Sequence, residues 1–169
     1  MKKNLVLLGM MAVGKTTLGK IVAKKQEMEF IDIDLTIEKK NSMTINEIFK
    51  EKGEAFFRLE EEKEVLKSLK QSNCVIALGG GAFMNSILRE NILKNAVSFW
   101  LDDDLETLEK RLKSNKKRPL LNEENNEQKI KKIYLERKSI YQLANNKITC
   151  DGLSKEDIAD QIISLYEKY

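Results

Sequence analysis

The sequence predicts an α/β protein built on a parallel sheet sandwiched by helices, and three observations carry that reading. Short apolar runs alternate with amphipathic helical stretches; a glycine-rich motif ending in Lys-Thr follows the first run; and three consecutive glycines follow the third. The runs Leu5 to Leu8, Glu29 to Ile33, Val75 to Leu78, Val97 to Leu101 and Lys147 to Thr149 have strand length, and each of the first four precedes a helical pattern. That order marks βαβ units on a parallel sheet. Helix starts are expected at Thr44, with Glu47 three residues on, and at Ser154, followed by Asp157, because a hydroxyl and a carboxylate at that spacing can satisfy exposed amides reciprocally.

With 169 residues the chain suits one domain with one core. Hydrophobic residues make up 41% and charged residues 34%, a globular mixture. The formal net charge is only +3, from 30 basic and 27 acidic side chains, so composition makes no electrostatic case for nucleic acid or membrane as partner. The apolar stretch near the N-terminus is too short for a signal peptide or a membrane span, and a cytoplasmic protein, monomeric, is expected. Cys74 and Cys150 stand in no metal-ligand or CxxC spacing and read as small buried apolar residues. Histidine is absent, which excludes Ser-His triads, histidine bases and histidine metal sites. Chemistry falls to carboxylates, lysine, arginine and bound metal.

The strongest motif is Gly9-Met10-Met11-Ala12-Val13-Gly14-Lys15-Thr16, followed by Thr17, with a buried strand before it and a helix after it. This is the phosphate-binding P-loop pattern. Glycines let the loop turn its N–H groups, including those of Ala12 and Val13, toward phosphate oxygens, and the helix start adds its positive dipole end. Lys15 reaches the outer phosphates, and the Thr16 hydroxyl can ligate Mg²⁺. ATP and Mg²⁺ are therefore the expected ligands.

Asp32-Ile33-Asp34 closes the second run. On an extended strand the two carboxylates would share one side at the carboxyl end of the sheet, where one could serve the Mg²⁺ shell and the other an attacking hydroxyl. Gly79-Gly80-Gly81 ends the third run, where absent Cβ atoms permit close backbone approach to a ligand. Only five of thirty cations are arginine, namely Arg58, Arg89, Arg111, Arg118 and Arg137, which points to arginine where a planar fork is needed. Arg118 precedes Pro119, the single proline, in a polar surface loop spanning Ser114 to Asn126 that could close over a transferring phosphoryl group. Phe99, Trp100, Met10, Met11 and Tyr166 read as packing residues, and Lys129 to Lys132 as a solvated helix face.

Together the separated motifs resemble the shikimate kinase family along essentially the full chain: Gly9 to Thr17; Asp32-Ile33-Asp34; Phe49 through Gly53-Glu54 to Phe57-Arg58 and Glu61; Gly79-Gly80-Gly81; Arg118-Pro119-Leu120-Leu121; and Arg137 followed by Tyr141. The resemblance implies a single domain over 1–169 with a P-loop NTPase-like five-stranded parallel sheet, a substrate-binding insertion around 33–60 and a lid around 112–124. It implies transfer of the γ-phosphoryl group of ATP to the 3-hydroxyl of shikimate, on the route to chorismate and the aromatic amino acids. On this likeness Arg58 and Arg137 bind the shikimate carboxylate, and Asp34 and the glycines 79–81, chiefly Gly80, hold its hydroxyls. Thr16 and, through water, Asp32 hold Mg²⁺; Arg111 flanks the adenine, and Arg118 reaches the phosphates. Asp34, Lys15 and Arg118 carry the catalytic roles. The family usually has a third glycine where this chain has Ala12, and the loop is expected still to close. The other readings are a kinase for a gluconate-like polyol acid or a nucleoside monophosphate, and a nucleotide-binding module without catalysis.

Overall fold

In the computed structural model, residues 3–114 and 126–169 are described. Five strands form one sheet in the order β2-β3-β1-β4-β5, every neighbouring pair parallel. They are β1 (Asn4–Gly9), β2 (Glu29–Asp32), β3 (Cys74–Ala77), β4 (Ala96–Asp102) and β5 (Asn146–Thr149). The three inner strands are buried almost throughout, which is why they read as continuous apolar runs instead of alternating ones. The edge strands β2 and β5 are partly exposed and correspondingly more polar.

The helices are α1 (Lys15–Lys25), α2 (Ile33–Asn41), α3 (Ile45–Glu51), α4 (Gly53–Leu69), α5 (Ser86–Asn95), α6 (Leu105–Ser114), α7 (Asn126–Tyr141) and α8 (Lys155–Tyr166). Residues 33–60 are thus α2, α3 and the first half of α4. Of the expected lid, only the end of α6 is described; Arg118 and Pro119 lie outside the described residues.

Local chemistry sets the helix ends. Thr44 accepts the Glu47 N–H at 3.3 Å while the Glu47 carboxylate takes the Thr44 N–H at 2.7 Å, a complete capping box. Ser154 accepts the Asp157 N–H at 3.1 Å, and its hydroxyl donates to the Asp157 carboxylate at 2.6 Å. Helix α8 buries Ile158, Ala159, Ile162 and Tyr166 on one face, and α1 buries Leu18, Gly19, Val22 and Ala23. Phe99, Trp100, Met10 and Tyr166 are all at most 2% exposed, as expected of packing residues; Lys129, Lys131 and Lys132 face solvent, but Ile130 between them turns into the core and is buried.

One expectation fails here. The second strand stops at Asp32, and Ile33 is already the first residue of α2, so Asp32 and Asp34 are not period-2 neighbours on a strand. Asp32 is the N-cap of α2: one carboxylate oxygen accepts the Leu35 N–H at 3.1 Å. Asp34 sits in the first helical turn.

Both cysteines are free and buried. Burial pushes the Cys150 thiol up to about 12, with the Asp103 charge adding to it, and also raises the Cys74 thiol. Neither should react with a disulfide reagent near about pH 8 in the folded protein, and both should react once it is denatured. Fast labelling of the native chain, read by absorbance, would contradict this burial. No helix among the described residues is long and apolar enough to cross a membrane.

Candidate active site

The sheet order reverses around β1: the chain runs from β1 outward to β2, then back through β3 to β4 on the other side. Ligands of open α/β sheets bind at such a switch point, beyond the strand carboxyl ends. A cavity of about 270 Å³ lies there, lined by Met11, Ala12, Gly14, Lys15, Thr16, Thr17, Asp32, Asp34, Leu78 and Gly80.

The P-loop closes between β1 and α1. Gly14 caps α1 with φ 102°, and the first turn of α1 carries no acidic residue, leaving its amides and positive dipole end open to an anion. Gly9 is required by space: a Cβ there would lie 2.4 Å from the Leu101 carbonyl oxygen. Val13 is buried and anchors the loop, whereas Thr17 is exposed at the cavity. Ala12 takes φ 64°, the left-handed region, so the loop does close with alanine; such a conformation costs an L-residue roughly 1–2 kcal/mol. The Lys15 ammonium folds over the loop, donating to the carbonyls of Gly9 at 2.9 Å and Met10 at 2.8 Å.

Thr16 and Asp32, sixteen positions apart, meet: the threonine hydroxyl donates to Asp32 Oδ2 at 2.5 Å. The αN-cap role of Asp32 occupies its other oxygen, which fixes the carboxylate toward Thr16. Two hard oxygen donors side by side on the cavity wall suit Mg²⁺, which favours oxygen ligands and keeps several waters.

The three glycines after β3 have a use that spacing alone does not reveal. A Cβ on Gly79 would meet Glu61 Oε1 at 2.6 Å and Asp34 Oδ1 at 2.7 Å; on Gly80, Arg137 Nη1 at 3.0 Å; on Gly81, Arg58 Nη1 at 2.7 Å. The bare backbone therefore makes room for two carboxylates and two guanidinium groups to converge. Arg58 pairs with Glu61 at 2.8 Å and Glu54 at 3.2 Å, while its guanidinium lies 5.3 Å from the centre of the Phe57 ring. Arg137 donates to the Gly80 carbonyl at 3.0 Å, and the buried Tyr141 hydroxyl donates to the same oxygen.

Glu61 has no role assigned from sequence. It is 2% exposed; burial pushes its carboxyl above the ordinary range against the pull of Arg58, and neighbouring Asp34 adds to the rise. Its Oε1 accepts no hydrogen bond among the described residues and faces Gly79. The i, i+3 spacing from Arg58 on α4 was the available signal for the pair, as the i, i+4 spacing of Tyr141 from Arg137 was on α7. Arg111, on α6, reaches the P-loop by donating to the Ala12 carbonyl at 3.4 Å. The structure therefore gathers the P-loop, Asp32, Asp34, Arg58, the glycines 79–81, Arg111 and Arg137; Arg118 lies outside the described residues.

Comparison with known proteins agrees with this geometry. The family described as shikimate kinase matches residues 11–167. The chain is 41% identical over 162 residues to a shikimate kinase of Sulfurihydrogenibium sp., covering 96% of each chain. Its fold superimposes on that of shikimate kinase from Acinetobacter baumannii in complex with shikimate with a TM-score of 0.93 at 32% identity, covering 99% of this chain and 94% of the other. A gluconokinase from Sinorhizobium meliloti reaches a TM-score of 0.62 at 12% identity, over 98% and 92% of the two chains, a likeness of fold alone. With the phosphate loop and two aspartates lining one cavity, with Arg58 and Arg137 packed against the glycines at its edge, and with relatives matching over nearly the whole length, the chain belongs to the shikimate kinase family.

Proposed function

We propose that this protein transfers the γ-phosphoryl group of ATP to the 3-hydroxyl of shikimate, releasing ADP and shikimate 3-phosphate. The observation that carries the substrate assignment is the convergence of Arg58, Arg137, Asp34 and Glu61 on the bare backbone at 79–81. A ring monoanion with three hydroxyls needs a guanidinium fork for its carboxylate and carboxylate or carbonyl acceptors for its hydroxyls, and both kinds of group stand here. The structure of the Acinetobacter baumannii relative in complex with shikimate supports the same reading.

In the reaction the hydroxyl oxygen attacks the γ-phosphorus, the bond to the β,γ-bridging oxygen breaks, and the hydroxyl proton passes to the Asp34 carboxylate. Phosphoryl transfer through a loose transition state needs positioning and charge neutralisation more than covalent help. The P-loop amides and the start of α1 hold the phosphates. Lys15 exchanges the carbonyls of Gly9 and Met10 for outer phosphate oxygens, and Arg118 supplies a second cation from the lid. Thr16 and Asp32 would hold Mg²⁺, which supplies electrostatic shielding of the phosphate charge when bound. Arg58 and Arg137 clamp the acceptor's carboxylate and so set which hydroxyl faces Asp34. The substrates are small soluble anions, in keeping with a cytoplasmic enzyme.

Incubating the purified chain with shikimate, ATP and Mg²⁺ should release ADP in step with consumption of shikimate, and a chelator should stop the reaction. Turnover of gluconate or a nucleoside monophosphate without turnover of shikimate would replace this substrate assignment; tight ATP binding with no acceptor in the panel would indicate a non-catalytic module.

A further inference from the structure

Asp103 follows β4 and precedes α6, in a run of three aspartates, yet its side chain is only 1% exposed. A carboxylate so placed is costly unless paired and hydrogen-bonded. Its Oδ1 accepts the Asp104 N–H at 3.0 Å, and its Oδ2 lies 2.9 Å from Arg111 Nη1. Asp104 and Asp151 crowd the same spot with like charge. The cation that offsets this burial is Arg111, and the same Nη1 reaches the Ala12 carbonyl of the P-loop. Asp103 thus ties α6 to the rim of the cavity through one guanidinium.

The position of that guanidinium has chemical meaning. A nucleotide whose phosphates rest on the loop amides and the α1 N-terminus can set its base at the cavity rim beside Ala12, where Arg111 stands. Arg111 is half-exposed there. A planar guanidinium is suited to stack on an aromatic base, but a long side chain at a cavity mouth sweeps many rotamers unless one end is held. Asp103 holds it, from a buried site that leaves the carboxylate little freedom of its own.

We propose that Asp103 is a positioning residue for nucleotide binding: paired with Arg111, it presets the guanidinium at the P-loop rim as a platform for the base of ATP. This rests on the reading of the P-loop as the ATP site.

The test compares ADP with pyrophosphate, which lacks the base, in calorimetric titrations with Mg²⁺ of the wild type, Asp103→Asn, Arg111→Gln and the double variant. Asp103→Asn should weaken ADP binding roughly tenfold and leave pyrophosphate within about twofold. Arg111→Gln should do the same, and the double variant should be no more than about threefold weaker than either single one, because both remove one device. If Asp103→Asn does not fold, Asp103→Ser, which keeps a small acceptor for the Asp104 N–H, is judged by the same thresholds. Three results overturn the proposal: a folded Asp103 variant with ADP affinity unchanged, equal weakening of ADP and pyrophosphate, or losses that multiply in the double variant. A wild type that binds neither ADP nor pyrophosphate would instead overturn the nucleotide-site reading itself, and this inference with it.

Discussion

Asp34→Asn is expected to lower kcat by about 10³-fold while ATP affinity stays within about twofold, since a positioned general base contributes roughly 10² to 10⁴. The amide keeps the size of the side chain and its place in the first turn of α2, beside Gly79, but cannot take a proton. Phosphate contacts come from the loop and α1, so nucleotide binding is separable from loss of the acceptor group. Removing a negative charge from the first turn of a helix weakens the dipole interaction by about 0.3–1 kcal/mol, small enough for the variant to fold. The checks are a coupled assay for ADP, an ATP titration and a thermal melt. Near-normal turnover would strip Asp34 of its role.

Arg58→Lys is expected to raise the KM for shikimate by roughly 10- to 100-fold, with a smaller change in kcat, because hydrogen bonds to charged groups are worth about 1.5–3 kcal/mol. Arg58 already spends one edge of its fork on Glu61 and Glu54 and rests beside the Phe57 ring. A planar group can keep such supports and still present another edge to a ligand carboxylate. An ammonium is a point charge on a flexible stem, and in that setting it would be drawn to Glu61. Steady-state kinetics with shikimate varied at saturating ATP reads the effect, and an unchanged KM would remove Arg58 from the acceptor site.

Much of this site could be read along the chain because its parts are local. The P-loop is one contiguous turn between a strand and a helix, so its residue types and spacing already encode the backbone shape that faces phosphate. The three inner strands were legible for a related reason: a strand buried on both faces reads as a nearly continuous apolar run, as Leu5 to Leu8 does and Val97 to Leu101 does apart from Ser98. The ending of β2 was less legible. Asp32 suits either the last residue of a strand or a helix N-cap, and only the packing of α2 against the rest of the fold selects the cap. The two aspartates do line one cavity, but as a helix cap and a first-turn residue and not through the alternation of a strand.

What pair spacing cannot supply is convergence from distant elements. Thr16 meets Asp32 because α1 and α2 both start at the carboxyl edge of the sheet, after β1 and β2 on either side of β3, and Arg111 meets Ala12 across ninety-nine positions. Likewise, the burial of Glu61 and Asp103 depends on neighbours that no local pattern names; in sequence both look like ordinary surface charges. The sequence by itself determined the chemistry available: an anion-binding loop, hydroxyl and carboxylate oxygens, and a few arginines, with no histidine. Only the tertiary structure decided which of those charges face one another, because the strength of a charge pair and the cost of burying it depend on distance and exposure, and both arise only when the chain closes on itself.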